Sequence, residues 1–186
     1  MSLRAEVVAT AREMHRLGLV VGAAGNVSAR EDEVVHITPR GLPYPGMTGD
    51  DVVSLTLRGE VVGGGAREPS SEWRVHTAVY AARADARAVV HTHSVHATAW
   101  SCVGEPLDTG VKEFGQVVGG AVRTAPDAPP GTDAIALATV EALDGRSAAL
   151  LAGHGVVAVG ESLERALVVC QVVERHARIA WLLRGR

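Results

Sequence analysis

The sequence predicts a layered fold of mixed α/β or α+β class, and three observations carry that prediction. Short apolar runs alternate with longer stretches of helical periodicity along the whole chain. Pro and Gly turn markers separate the short runs, so neighbouring strands can pair as hairpins. The 186 residues, 47% of them apolar, suffice for one domain that buries about 70% of the surface its unfolded chain exposes. No repeat, low-complexity segment or linker divides the chain, so residues 1–186 are read as a single domain.

The elements follow in order. Leu3, Val7, Val8, Ala11, Met14 and Leu17 recur at helical spacing, and Gly18 is placed to end that helix. Three short strands are predicted at residues 26–29, 34–37 and 52–57, with turns at Pro39-Arg40-Gly41 and Arg58-Gly59-Glu60. Gly63-Gly64-Gly65 reads as a flexible loop. Ser70 or Ser71 is placed to cap a helix running to about Arg83, on which Trp73, His76, Val79 and Tyr80 share a face. A buried strand at 88–93 leads to a helix through Trp100 with Ser94 as its cap. A helix at 132–143, strands at 148–151 and 156–159, and a long amphipathic helix at 161–183 complete the reading.

Composition narrows the function classes. A net charge of −3 gives no electrostatic case for nucleic acid or an anionic membrane. The amino terminus carries charges without an apolar signal region, and no run approaches the ~18 apolar residues of a membrane span. Cys102 and Cys170 form neither a disulfide framework nor a cysteine metal site. A reduced, cytoplasmic compartment is the expectation. Seventeen of the 18 basic residues are arginine, and Lys112 is the single lysine. A Schiff-base mechanism needs a desolvated lysine, and Lys112 falls in Gly110-Val111-Lys112-Glu113, a segment that reads as a loop.

The candidate chemistry lies in three histidines and one glutamate. His91 and His93 are two apart on a predicted strand, so both rings project from one face. His154 can join them because Gly153 and Gly155 let the backbone turn sharply around it. Three imidazoles can hold zinc at about 2.0–2.1 Å per bond and leave an open position for catalysis. Glu72, at a predicted helix start, supplies a carboxylate. His-x-His pairs are commonly ordinary histidines, and His36, His76, His96 and His176 are read that way here. Ser70 and Ser71 read either as a plain capping segment or as an oxyanion contact at a helix start. Gly25-Asn26 and Arg40-Gly41, both at turns, offer further anion contacts.

The ordered motifs Gly25-Asn26-Val27-Ser28-Ala29-Arg30, Ile37-Thr38-Pro39-Arg40-Gly41, Pro69-Ser70-Ser71-Glu72, His91-Thr92-His93-Ser94 and Gly153-His154-Gly155 resemble the class II aldolase/adducin family. The resemblance covers about residues 3–183 and is strongest to the L-fuculose-1-phosphate aldolase branch. It implies a central, mainly antiparallel sheet flanked by helices, in α/β/α layers. It implies zinc, or another divalent metal such as Mn2+ or Co2+, on His91, His93 and His154, with Glu72 as the acid/base. Residues matching Asn26, Gly41, Ser70 and Ser71 would hold the substrate phosphate, with Arg40 beside them. The implied reaction is retro-aldol cleavage of the C3–C4 bond of a ketose 1-phosphate, giving dihydroxyacetone phosphate and an aldehyde. The implied assembly is a homotetramer with active sites at subunit interfaces.

Two departures from the branch stand out. Arg40 occupies a position that holds a small hydroxyl residue in those aldolases. The segment before Gly119-Gly120 lacks the tyrosine those enzymes donate across a subunit boundary, and Glu113 is the nearest stand-in. The tail, ending at Arg186, is shorter than in many family members. Sister readings are a 5-deoxypentulose 1-phosphate aldolase, a pentulose-phosphate 4-epimerase and a methylthioribulose-phosphate dehydratase. An adducin-like binding module and a cupin-type iron dioxygenase are the readings from other classes.

Overall fold

The computed structural model describes residues 1–63 and 66–185. Gly64 and Gly65 of the expected glycine loop lie outside the described residues. Helix α1 (Leu3–Arg16) buries Val7, Val8, Ala11 and Met14, the stripe its periodicity predicts. Strands β1 (Asn26–Glu31), β2 (Val34–Ile37) and β3 (Val53–Thr56) follow as antiparallel neighbours. A short β4 (Val61–Gly63) adds to β3 at the sheet edge. It was not expected, because three residues are too few to display an alternation.

Helix α2 (Trp73–Ala82) starts later than the sequence indicates. Ser70 Oγ accepts the Glu72 N–H at 3.3 Å, which makes a local turn before the helix rather than a cap on it. Strand β5 (Ala88–Thr92) is buried throughout and feeds α3 (Val95–Ser101). Ser94 stands at the start of α3, yet its side chain makes no capping bond. The Glu174 carboxylate takes that role from a distance, accepting the N–H groups of His96 at 3.1 Å and Ala97 at 2.9 Å.

The segment read as a loop around Lys112 is instead helix α4 (Lys112–Val118). It is short and interrupted by Gly115, so periodicity could not reveal it. Phe114 and Val118, four apart, are its buried anchors, and Phe114 stacks on His176 with ring centroids 4.6 Å apart. After a two-residue β6 (Thr124–Ala125) come α5 (Asp133–Ala142), β7 (Ala148–Leu151), β8 (Gly155–Gly160) and α6 (Leu163–Arg184). Ser162 Oγ accepts the Arg165 N–H at 3.1 Å, a cap worth about 1 kcal/mol to α6.

The strands form one sheet in the order β4-β3-β2-β1-β5-β8-β7-β6. Only β6 and β7 pair in parallel among the described residues, so the expectation of a mainly antiparallel sheet flanked by helices agrees with the structure. Alternating side chains divide the core. Val27, Ala29, Ala88, Val90, Val156 and Ala158 face the layer built with α1, α3, α4 and α6. Val89, Ala149, Val157 and Val159 face the layer built with α2 and α5. The result is three layers, α/β/α, with β1, β5 and β8 at the centre of the sheet.

Candidate metal centre

The site assembles on the α2 side of β1 and β5. His91 pairs in register with Asn26 of β1 and Val157 of β8, and it is 1% exposed. His93 lies just past the end of β5, on the same side of the chain as His91. His154 sits in the turn between β7 and β8, whose backbone closes through its N–H to Leu151 O at 3.0 Å.

The two glycines beside His154 act differently. Gly153 has φ +62°, a left-handed conformation that disfavours most side chains. Gly155 instead permits a close backbone approach, because a Cβ there would stand 2.2 Å from Thr92 O. The sequence reading of a sharp turn holds for Gly153. For Gly155 the physical requirement is space against β5.

One ligand atom from each of Glu72, His91, His93 and His154 lies within 4.8 Å of the others. The three imidazole centroids form a near-equilateral triangle with sides of 4.7, 4.8 and 4.7 Å. His91 Nδ1 lies 2.8 Å from Val156 O. A carbonyl can only accept, so Nδ1 carries a proton and Nε2 is the atom turned to the cluster. His93 Nε2 stands 2.9 Å from His91 Nε2, and Glu72 Oε2 and Oε1 stand 3.3 Å from His91 Nε2 and 3.5 Å from His154 Nε2. Glu72 Oε1 is fully buried with no hydrogen-bond partner. Converging lone pairs around an unsatisfied buried carboxylate oxygen call for a cation. Three imidazoles and a carboxylate suit a divalent ion.

Electrostatics agree with that demand. Burial opposes the Glu72 charge, but His91, His154 and the Asn26 amide outweigh it and hold the carboxyl well below its usual range. Burial and the proximity of His91 and His154 push His93 down to about 4. His154 is lowered by burial and by His91. At His91 burial is outweighed by Glu72, which raises it. Metal ligation requires neutral imidazoles, and two of the three are neutral at pH 7 without help.

A cavity of about 230 Å³ opens over the cluster. Its walls include Glu72, His93 and His154, together with the five residues expected at the phosphate end: Asn26, Arg40, Gly41, Ser70 and Ser71. These come from three chain segments stitched side by side. Thr38 N donates to Val27 O at 3.0 Å, Ser70 N to Thr38 O at 3.0 Å, and Arg40 N to Glu68 O at 3.0 Å. Ser70 is buried while Ser71 and Gly41 are exposed. The Arg40 side chain is 67% exposed and 3.6 Å from a still more exposed Glu68. Asn26 has partners of its own: its Nδ2 donates to Glu72 Oε2 at 2.8 Å and its Oδ1 meets His76 Nε2. One amide N–H of Asn26 is left for the cavity.

Sequence reasoning placed His76 among the ordinary histidines. The structure buries it completely, in contact with the residue that touches Glu72. The signal was present in the spacing, since Glu72, just before α2, and His76 and Tyr80 on it recur every four residues. Glu113, the proposed stand-in for the absent tyrosine, lies on α4 with its carboxylate 3.8 Å from His176 Nε2.

Comparison with known proteins matches this chain and its fold to a family. The model of the class II aldolase and adducin N-terminal domain matches residues 5–181, and the chain belongs to that family. The L-fuculose phosphate aldolase of Escherichia coli O6:H1 is 40% identical over 177 residues, covering 95% of this chain and 81% of that protein. The 5-methylthioribulose-1-phosphate/5-deoxyribulose-1-phosphate aldolase of Rhodospirillum rubrum is 37% identical over 180 residues, covering 97% and 80%. A solved structure of an L-fuculose 1-phosphate aldolase superposes with a TM-score of 0.95 at 33% identity, covering 98% of this chain and 86% of that one. The L-fuculose-1-phosphate aldolase of Thermus thermophilus gives a TM-score of 0.84 at 31% identity, covering 98% and 94%. Aldolases are lyases, and the expectation of a lyase agrees with these relatives. No helix among the described residues is long and apolar enough to cross a membrane.

Proposed function

We propose that this protein is a zinc-dependent aldolase that cleaves a short ketose 1-phosphate between C3 and C4, releasing dihydroxyacetone phosphate and an aldehyde. The observation that carries the reading is the convergence of Glu72 with three histidines at the floor of a cavity lined by Arg40, Gly41, Ser70 and Ser71. A divalent ion held by His91, His93 and His154 would supply Lewis acidity at the substrate oxygens.

The remaining work falls to the side chains. Ser70 and Ser71 bring hydroxyls, and the turn at Gly41 brings backbone, to the phosphate end. Arg40, held only by an exposed partner, is free to turn its bidentate fork onto the phosphate. Glu72 is ionised and its Oε2 is oriented by Asn26, so it can take a proton from the carbon that reacts and return it.

The aldehyde end is less constrained. Both L-fuculose phosphate aldolases and a 5-deoxy-D-ribulose 1-phosphate aldolase of Bacillus thuringiensis, 39% identical over 95% of this chain and 83% of its own, are relatives. The missing trans tyrosine falls at the aldehyde end, and with these relatives 5-deoxyribulose 1-phosphate is the second reading. The proposal includes a cytoplasmic homotetramer with sites at subunit boundaries. Val95, two residues past His93 and 71% exposed, is apolar surface that a neighbouring copy would cover.

The test is a cleavage assay on zinc-reconstituted protein with L-fuculose 1-phosphate, 5-deoxyribulose 1-phosphate and ribulose phosphates, following dihydroxyacetone phosphate by a coupled reaction. Chelator-sensitive release supports the aldolase, and relative rates rank the aldehydes. Stoichiometric zinc without release from any of them would overturn the reaction assignment. A product with its skeleton intact would point to the epimerase, and loss of water to the dehydratase.

A further inference from the structure

Five buried polar side chains between β1 and α2 form one unbroken chain. Tyr80 OH lies 2.8 Å from Ser28 Oγ, and Ser28 Oγ lies 2.6 Å from His76 Nδ1. His76 Nε2 meets Asn26 Oδ1, and Asn26 Nδ2 reaches Glu72 Oε2 at 2.8 Å. Their exposures are 1% for Tyr80, 0% for Ser28 and His76, 2% for Asn26 and 7% for Glu72. The contact follows from two periodicities. Asn26 and Ser28, two apart, share a face of β1, while His76 and Tyr80, four apart, share a face of α2 and Glu72 flanks its start.

The direction of each bond can be deduced from the last one. An ionised carboxylate only accepts, so the Asn26 amide turns its N–H to Glu72 and its oxygen to His76. His76 Nε2 must then carry a proton. Burial, with His91 nearby, pushes the His76 ring down to about 3, so it is neutral and its Nδ1 is a bare acceptor. Ser28 therefore donates to Nδ1, and its oxygen accepts from Tyr80. Every donor points toward the carboxylate.

We propose that Tyr80, Ser28 and His76 act as a one-way hydrogen-bond relay that locks the Asn26 amide and so holds Glu72 in its working orientation, making His76 a positioning residue. A purely apolar packing residue would fill the same space between β1 and α2 without fixing the amide. With His76 neutral and single-tautomer, the alternative flip of Asn26 would set its oxygen against the carboxylate and its N–H against the His76 N–H. Both contacts are repulsive, so the relay selects one amide orientation. The inference rests on the reading of Glu72 as the acid/base, and its primary test does not use activity.

Full-length protein labelled with 15N-histidine would be examined by NMR at neutral pH, with and without zinc, His76 being assigned by the loss of its signals in His76→Gln. The relay requires a pyridine-type Nδ1 and a protonated Nε2 whose hydrogen exchanges slowly. An Nδ1–H tautomer or an imidazolium at His76 overturns it.

The kinetic arm compares two substitutions. His76→Leu should lower kcat about 10–100-fold, as loss of an orienting partner does, with KM and zinc content unchanged. His76→Gln, which keeps an N–H toward Asn26, should recover most of that loss. A matched fall in zinc content and kcat, or equal activity of both variants, would make the role structural and sink the proposal. The two readings fail separately. A protein inactive on every ketose phosphate but carrying the required tautomer refutes the aldolase alone, whereas an active aldolase with the wrong tautomer refutes the relay alone.

Discussion

Asn26 and His91 stand opposite each other as register partners across β1 and β5, so one strand pairing fixes both the residue that orients Glu72 and a metal ligand. Slipping β1 by one residue would turn Asn26 and Ser28 to the opposite face and remove the amide from the site. Asn26→Ala should therefore keep the metal site while losing the contact to Glu72. The expected cost is about 10–100-fold in kcat, with zinc stoichiometry, measured by mass spectrometry, unchanged. Asn26→Asp, which sets a second carboxylate against Glu72 Oε2, should be worse than alanine.

Removing a ligand and removing the base should separate. His93→Ala is expected to lose zinc and activity together, because one corner of the imidazole triangle is gone. Glu72→Gln is expected to retain zinc through the histidines yet lose at least about 100-fold in turnover. Zinc analysis beside a cleavage assay checks both, and a fully active, metal-loaded His93→Ala protein would refute the assignment.

The glycines around His154 should tolerate substitution differently. Gly155→Ala drives a Cβ into the Thr92 carbonyl, 2.2 Å away, and backbone cannot yield as a side-chain rotamer can. A loss of about 1–3 kcal/mol is expected from that overpacking. Gly153→Asn meets open space, and asparagine tolerates its φ of +62°, so less than about 1 kcal/mol is expected. Urea denaturation of the two variants tests the contrast.

Stability should fall with acid through His76. Its folded value is about 3 against an ordinary 6.5, because burial disfavours the charged ring. Between those values the unfolded chain binds a proton that the native ring refuses. The contribution is therefore whole above pH 6.5 and is lost as pH falls toward 3, by about 2 kcal/mol at pH 5. His93, lowered to about 4, adds to the trend, while the raised His91 opposes it. The difference in urea midpoint between wild type and His76→Gln isolates the residue, and it should narrow from pH 7 to pH 5.

One thiol should react in the native protein and two after unfolding. Cys102 is exposed, whereas Cys170 is fully buried with its thiol directed at Val90 O and pushed up to about 12 by burial. Titration with a chromogenic disulfide reagent, before and after denaturant, checks the count.

The long elements were legible because their periods are long enough to read. The α1 stripe, the buried β5 and the extended α6 all coincide with their patterns. Elements of two, three and seven residues, β6, β4 and α4, carry too few side chains to set a period. Helix caps failed for a related reason. The Ser94 position is filled in sequence, but its function is served by Glu174, about 80 residues away, which no local rule can see.

The metal ligands were legible as residue types at a spacing, since His91 and His93 needed only strand alternation to converge. His154 was offered by its flanking glycines and Glu72 by its place at a helix start, the resemblance assigned their roles, and the tertiary geometry brings all four together. His76 was missed because a histidine on an otherwise apolar helix face looks like core. Its meaning appears only when that face is laid against Asn26 and Ser28 of β1.

The place of β5 in the sheet has a kinetic consequence. It is flanked by β1 and β8 and sandwiched between two helical layers, whereas β4 and β6 lie at opposite rims. Amide hydrogens at the rims can exchange through local fraying, but those of residues 89–91 exchange only when the domain opens globally. His91 is thus anchored in the segment that melts last. An ion seated there would keep one ligand in a rigid segment even while the sheet edges breathe.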